Sequence, residues 1–143
     1  MDVKILTFNG LRIFANSILL GSSSKVLEKI LDQPSKHQNS VRVIPILGVP
    51  CDAVIAFVQF LYSSRCTEEE IDNFGIHLLA LSHVFDVQKL KQICTKGLST
   101  RLMVENVVDI LQLARLCDAP DLYLKCTRFL SKVLAYAYAY AWS

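Results

Sequence analysis

Apolar residues crowd into the stretch Cys51-Asp-Ala-Val-Ile-Ala-Phe-Val-Gln-Phe-Leu-Tyr62, where Val54, Phe57, Val58 and Leu61 recur at the spacing of one helix face. Ile55, Ala56 and Phe60 make the opposite side hardly more polar. A helix that is apolar nearly all round is buried on several sides, so this stretch predicts a core helix that other elements pack around. Asp52, two residues past Pro50, is its expected N-cap, and Ser63-Ser64 its exit. A membrane span would need about 20 apolar residues, more than this stretch holds.

Upstream, short strand-forming runs take over. Val-Lys-Ile-Leu-Thr-Phe, then Asn9-Gly10, then Leu-Arg-Ile-Phe-Ala predict a β-hairpin over residues 2–16. Asn-Gly supplies the positive φ angles of a tight type I′ turn. Leu11, Ile13 and Ala15 would face one side of the second strand, Arg12 and Phe14 the other. Ser17-Ile-Leu-Leu-Gly21 predicts a short helix closed by Gly21 and the serines after it. Those serines, Ser22 to Ser24, can cap a second helix whose stripe is Val26, Leu27, Ile30 and Leu31. That helix stops before Pro34, and residues 33–40 read as a polar surface loop. Residues 41–47 predict a strand, which Pro45, having no N–H to donate, confines to a sheet edge or a bulge.

Downstream, Thr67-Glu-Glu-Glu70 has the form of a capping box. Residues 76–85 and 88–102 predict two helices, the second striped by Leu90, Ile93, Cys94 and Leu98. A helix pair follows, with stripes Val107, Ile110, Leu111, Ala114 and Leu122, Cys126, Phe129, Val133, broken by Cys-Asp-Ala-Pro-Asp at 117–121. Strands early and helices late indicate an α+β fold. The organisation is then a main domain over 1–102, a helix pair over 103–134, and an Ala/Tyr tail over 135–143. The tail alternates with a period of two, offers no helical stripe, and reads as an extraneous end able to pair as a strand.

Composition adds mostly exclusions. A chain of 143 residues fits one domain and can bury a core without disulfides or metals. Net charge is +2 with scattered Lys and Arg, so no basic stripe points to direct nucleic-acid binding. The start, Met-Asp-Val-Lys, lacks the apolar core of a signal peptide, which makes a reducing, intracellular setting the expectation. Five cysteines without a Cys-x-x-Cys pair read as free thiols.

Chemistry is hard to find. His37, His77 and His83 lack partners at structural-zinc spacing. No phosphate loop, dinucleotide fingerprint or nucleophile elbow is present, and Cys94 and Cys126 read as small core hydrophobes. The expectation is a non-enzyme without a cofactor. What remains is surplus hydrophobicity: Leu113 and Leu116 lie off their helix stripe, and Ile18, Leu19 and Leu20 are three apolar residues in about one turn. Either these belong to broad buried faces or they form partner surfaces.

Several segments are similar to the BTB/POZ domain: Ser17-Ile-Leu-Leu-Gly-Ser-Ser-Ser-Lys-Val-Leu, Phe57-Val-Gln-Phe-Leu-Tyr-Ser-Ser, and Leu78-Leu-Ala-Leu-Ser-His-Val-Phe-Asp-Val, over about residues 2–102. Others resemble the plant BTB/TAZ proteins: Ile46-Leu-Gly-Val-Pro-Cys-Asp-Ala-Val, Leu61-Tyr-Ser-Ser-Arg-Cys-Thr-Glu-Glu-Glu, and Val104-Glu-Asn-Val-Val-Asp-Ile-Leu-Gln-Leu-Ala-Arg-Leu-Cys-Asp-Ala-Pro-Asp, reaching about Lys132. The resemblance implies a small three-stranded sheet flanked by a helix cluster, with residues 103–134 as the start of a BACK-like region. It also implies a homodimer, or a dimer with another BTB protein, acting as a substrate adaptor on the cullin scaffold of a ubiquitin ligase in nucleus and cytoplasm. Calmodulin and transcription regulators are further partners of the family. The alternative reading is a dimerisation scaffold in transcription regulation with no ligase role.

Carried onto this chain, the cullin contact would fall on Tyr62, Glu70, Gly75, Ile76, His77, Leu113 and Leu116, and the dimer contact on Ile18, Leu19 and Leu20. The sequence departs from the family pattern at three points. Asn16 stands where the family usually has His; Gly75-Ile-His77 lacks the acid of the apolar-x-acidic cullin motif; and the TAZ zinc domain and calmodulin-binding region, expected after Lys132, are read as missing.

Overall fold

The alternating residues near the start fold as a hairpin and recruit a third strand. The computed structural model describes residues 2–34 and 41–142. In it β1 (Val3–Thr7) pairs antiparallel with β2 (Arg12–Ala15) and parallel with β3 (Arg42–Ile46), in the order β2-β1-β3. Inward positions Val3, Ile5, Ala15, Ile44 and Ile46 are buried, as alternation requires. Pro45 lies on the edge strand opposite Leu6, where its missing N–H breaks no interior ladder.

The turn is not type I′. Three residues separate Thr7 from Leu11, the Gly10 amide donates to the Thr7 carbonyl at 3.1 Å, and only Gly10 has a positive φ, +83°. Such a three-residue loop, with glycine in the left-handed position, places the strain on one residue instead of two. Leu11, placed on the same side as Ile13 and Ala15, lies before β2 and is exposed, whereas Ala15 is buried.

Two short helices link β2 to β3. α1 (Ser17–Ser23) starts at Asn16, whose side chain accepts from the Ile18 and Leu19 amides. Gly21 does not close α1, as its sequence position suggests, but is buried inside it. There an added Cβ would sit 3.4 Å from the Glu28 Cβ of α2 (Lys25–Asp32). The close approach of two helices, not a helix end, explains this glycine. Ser24 ends α1 and caps α2: its amide donates to Leu20, and its hydroxyl accepts from Leu27 at 3.1 Å. The same hydroxyl donates to the Phe85 carbonyl at 2.5 Å. Of the segment read as a polar loop, residues 35–40 with His37 lie outside the described residues.

The apolar central stretch forms α3 (Cys51–Ser63), in which seven residues are buried, Val54, Phe57, Val58 and Leu61 among them. Asp52 is not its N-cap. The helix starts after Pro50 with no side-chain cap, and Asp52 lies in the first turn, where a carboxylate favours the dipole. The Thr67–Glu70 capping box forms as expected, but it opens one long helix, α4 (Glu68–Val84), not a separate segment before residue 76.

α5 (Gln88–Ser99), α6 (Val107–Leu116) and α7 (Pro120–Ala141) complete an α+β fold. The α4–α5 and α6–α7 turns are built alike. Asp86 and Asp118 both adopt φ of 51°, and the next amides, Val87 and Ala119, each donate at 2.8 Å to a carbonyl five residues back. Aspartate tolerates the left-handed region, so Phe85-Asp86-Val87 and Cys117-Asp118-Ala119 stop their helices without glycine.

The Ala/Tyr tail is helical, against expectation. α7 crosses residue 134 without a break, and the Tyr136 and Tyr140 rings sit 5.7 Å apart one turn from each other. Alanine has the highest helix propensity, and tyrosines four residues apart share a face, so an existing helix extends more readily than a new strand forms.

Ser24→Ala removes both a cap and the partner of a buried carbonyl. It should lower unfolding free energy by roughly 1–3 kcal/mol, read as a lower urea midpoint with an unchanged slope.

Candidate interaction site

The first half of α4 lies between two open grooves. The first, about 530 Å³, is lined by Phe14 from β2, Val58 and Tyr62 from α3, Arg65, Thr67 and Glu70. The second is also about 530 Å³ and runs between α4, the end of α5 and the start of α6, with Ile71, Gly75, Ile76, Leu98, Met103 and Ile110 in its wall. Of the residues assigned to a cullin contact, Tyr62 and Glu70 share the first groove, and Gly75 and Ile76 share the second. His77 is half-buried and lines neither. Leu113 is half-buried against the core, so of the two α6 leucines assigned to the contact only Leu116, 77% exposed, is free.

Several of these side chains already have structural partners. Glu70 Oε1 accepts from the Thr67 amide at 2.9 Å and its hydroxyl at 3.1 Å, so the capping box occupies it. The Tyr62 hydroxyl accepts from the Asn16 amide at 2.7 Å, tying the end of α3 to the start of α1. Gly75 is buried: a Cβ there would meet Leu98 Cδ2 at 2.9 Å, and one at Gly97 would meet Ile71 Cγ2 at 2.8 Å. Both glycines permit the close α4–α5 contact that forms the groove floor, a packing role and not a binding one.

Arg101 closes one end of the second groove. Its guanidinium meets Glu68 Oε2 and Asp72 Oδ1 at 2.5 Å each, and donates to the Gly97 carbonyl at 2.7 Å. These two carboxylates hold the arginine even more firmly protonated than usual. A planar five-donor group suits this shared role. Sequence reading missed Arg101, and Phe14, Arg65 and Met103 as lining residues. Nothing local marks them, because each groove joins segments distant along the chain.

A second surface lies on α1. Ile18 is 79% exposed and Leu19 is also exposed, whereas Leu20 is 0% exposed in the core. Of the three residues assigned to a dimer contact, Leu20 therefore belongs to the core and only Ile18 and Leu19 are open, since the helix turns Leu20 inward. The start of α1 is held by Asp2, whose carboxylate accepts from the Ser17 amide at 2.9 Å and from its hydroxyl.

Among the described residues there is no group of three or more His, Cys, Asp and Glu side chains able to hold a metal ion. All five cysteines are free; Cys94, Cys117 and Cys126 are buried. Burial raises the Cys94 thiol far above its ordinary value, and burial with Glu70 and Glu68 pushes Cys66 up to about 11. Neither supplies a ready thiolate.

A small mixed sheet and a core helix covered on several sides, with open grooves beside α4, have the form of a protein-interaction module. The BTB/POZ domain family matches residues 1–102, and the chain belongs to it. Over 131 residues it is 60% identical to BTB/POZ and TAZ domain-containing protein 1 of Arabidopsis thaliana, covering 90% of this chain and 36% of that protein. Protein 2 of the same series is 56% identical and protein 4 is 46% identical, covering 36% and 35% of those proteins. The chain thus spans about a third of the length of these relatives.

The hydrogen bonds from Ser17 hold the Asp2 carboxyl below its ordinary 3.8. A group whose folded value is depressed stabilises the fold above the unfolded value and loses that contribution as pH falls through the folded one. Wild type should therefore exceed Asp2→Asn in stability at neutral pH, with the gap narrowing below about pH 3.8 in paired urea melts.

Proposed function

We propose that this chain is the interaction domain of an adaptor that holds the cullin scaffold of a ubiquitin ligase. Membership of the BTB/POZ family supports it, as does similarity to proteins named for BTB/POZ and TAZ domains. The observation that carries it is the pair of grooves flanking the first half of α4, with Tyr62 at one and Ile76 at the other. Rigid helices with apolar walls and polar rims suit a helical partner laid across them. Transcription regulators would then be candidate targets, met in nucleus and cytoplasm.

The test is light scattering of the chain alone and with a cullin N-terminal domain. Ile76→Glu combined with Leu116→Glu alters exposed side chains, so helix content should stay the same while the added cullin mass disappears. Undiminished binding by the folded double variant would remove the α4–α6 surface from this reading.

A dimerisation scaffold without a ligase role is the second reading, favoured by the exposed Ile18 and Leu19 side by side on α1. Adjacent exposed apolar residues of this size suit the centre of a symmetric contact. Ile18→Asp, at a site with no buried contact to lose, should halve the mass of a dimer in solution. A mass that does not change would exclude α1 from self-association.

A further inference from the structure

The outer face of the sheet is a surface that shares only Phe14 with the first groove and nothing with the second groove or the α1 contact. Alternation and register define it. Phe14, Lys4 and Val43 stand side by side across the three strands, and Arg12, Leu6 and Pro45 form the next row. Phe14 is 53% exposed and Val43 52%; Phe8, Val41 and Leu47 extend the apolar area around them. Two of the six positions are cationic and none is acidic.

Their charges are uncommitted. Among the described residues the only carboxylate ion pairs are those of Arg101, so neither Lys4 nor Arg12 has an acidic partner. Lys4 Nζ lies 5.7 Å from the Phe14 ring centroid, which orients the ammonium over the aromatic face. The nearest acid in sequence, Asp2, is taken by Ser17. An exposed sheet face with apolar side chains and unpaired cations is complementary to apolar residues interleaved with carboxylates.

Size narrows the occupant. Three strands about 4.8 Å apart and four or five residues long give a patch of roughly 10 by 17 Å, too small for a folded domain, which buries about 800 Å² per partner. Two cations are also few for nucleic acid, where affinity grows with the number of neutralised phosphates. We propose that this face docks a short acidic, apolar peptide segment of a partner protein, anchored on Phe14 and Val43 and oriented by Lys4 and Arg12. It goes beyond the adaptor reading, which uses only Phe14 of this face, in the wall of the first groove.

The probe is a fluorescein-labelled 12-residue peptide alternating Asp or Glu with Leu or Phe, read by anisotropy against the 143-residue chain. A peptide with Lys in place of each acid and a labelled oligo-dT are the controls. The acidic peptide should bind, and Lys4→Glu with Arg12→Glu should weaken it at least tenfold at unchanged helix content. Phe14→Ala should also weaken it, while amide shifts of the wild type should centre on residues 4, 12, 14 and 43. Binding of the oligonucleotide or the Lys peptide in preference, no binding at all, or shifts centred on α1 would each overturn the proposal. If the double charge reversal fails to fold, Lys4→Gln with Arg12→Gln replaces it, and undiminished binding there overturns the proposal equally.

Discussion

The fold depends on covering α3. Seven of its 13 residues are buried, on more than one side, so a single packing layer would leave Phe57, Val58 or Phe60 in water. α1 packs on one side and α4 on another, and the sheet residues Val3, Ile5 and Ile44 belong to the same core. Phe57 is 0% exposed, and its ring centroid lies 5.5 Å from that of Phe85 beyond the end of α4. Polar groups at this junction pair across elements. Ser23 Oγ donates to the Leu61 carbonyl at 2.8 Å, Ser24 Oγ to Phe85, and the Asn16 amide to Tyr62. A buried carbonyl left without a donor is costly, so these contacts fix the start of α1 and α2 relative to α3 and α4. The outward surfaces are carried on that fixed frame.

A second constraint acts between α4 and α5. Gly75 and Gly97 let the helices approach until Leu98 and Ile71 fill the space a Cβ would need. Arg101 then joins the end of α5 to the first turn of α4 through Glu68 and Asp72. The three acids after Thr67 therefore divide their work. Glu70 closes the capping box, Glu68 holds the arginine, and all three oppose the helix dipole. Exposed ion pairs contribute little stability singly, and Arg101 matters more for where it puts the α5–α6 connection. That connection, with Leu102 and Met103, forms the far wall of the second groove.

Much of this was legible because the signals were local. The capping box, the edge position of Pro45, the stripes of α5 and α6 and the buried α3 each depend on residues within a few positions of one another. The misreadings also have local causes. Asp52 has a capping residue's chemistry, but the chain enters α3 directly from Pro50. Gly21 looked like a helix stop because its true neighbour, Glu28, lies on another helix. In the tail, alternation hid a second spacing. Leu122, Cys126, Phe129, Val133, Tyr136 and Tyr140 follow one another at intervals of four and three, a continuous helical seam. Its buried residues, Leu122 and Cys126, lie in the first part, and in the exposed tail helix propensity and the Tyr136–Tyr140 contact favour the helix. The grooves were half visible. Tyr62, Glu70, Gly75 and Ile76 came from family resemblance, whereas Phe14, Arg65 and Met103 needed three-dimensional proximity.

An interaction module that must engage more than one protein needs surfaces that do not compete. On this frame the two exposed residues of α1 share no lining residue with either groove, and the grooves share none with each other. The exception is Phe14, which stands both on the outer sheet face and in the wall of the first groove. A ligand lying along β2 would press on the same ring that a partner in the first groove must pass. The second groove and α1 would remain open. Coupling between the sheet face and the first groove would come from direct overlap at Phe14. On this geometry a ligand on the sheet face and a partner in the first groove would compete at Phe14, whereas a contact through Ile18 and Leu19 would share no lining residue with either.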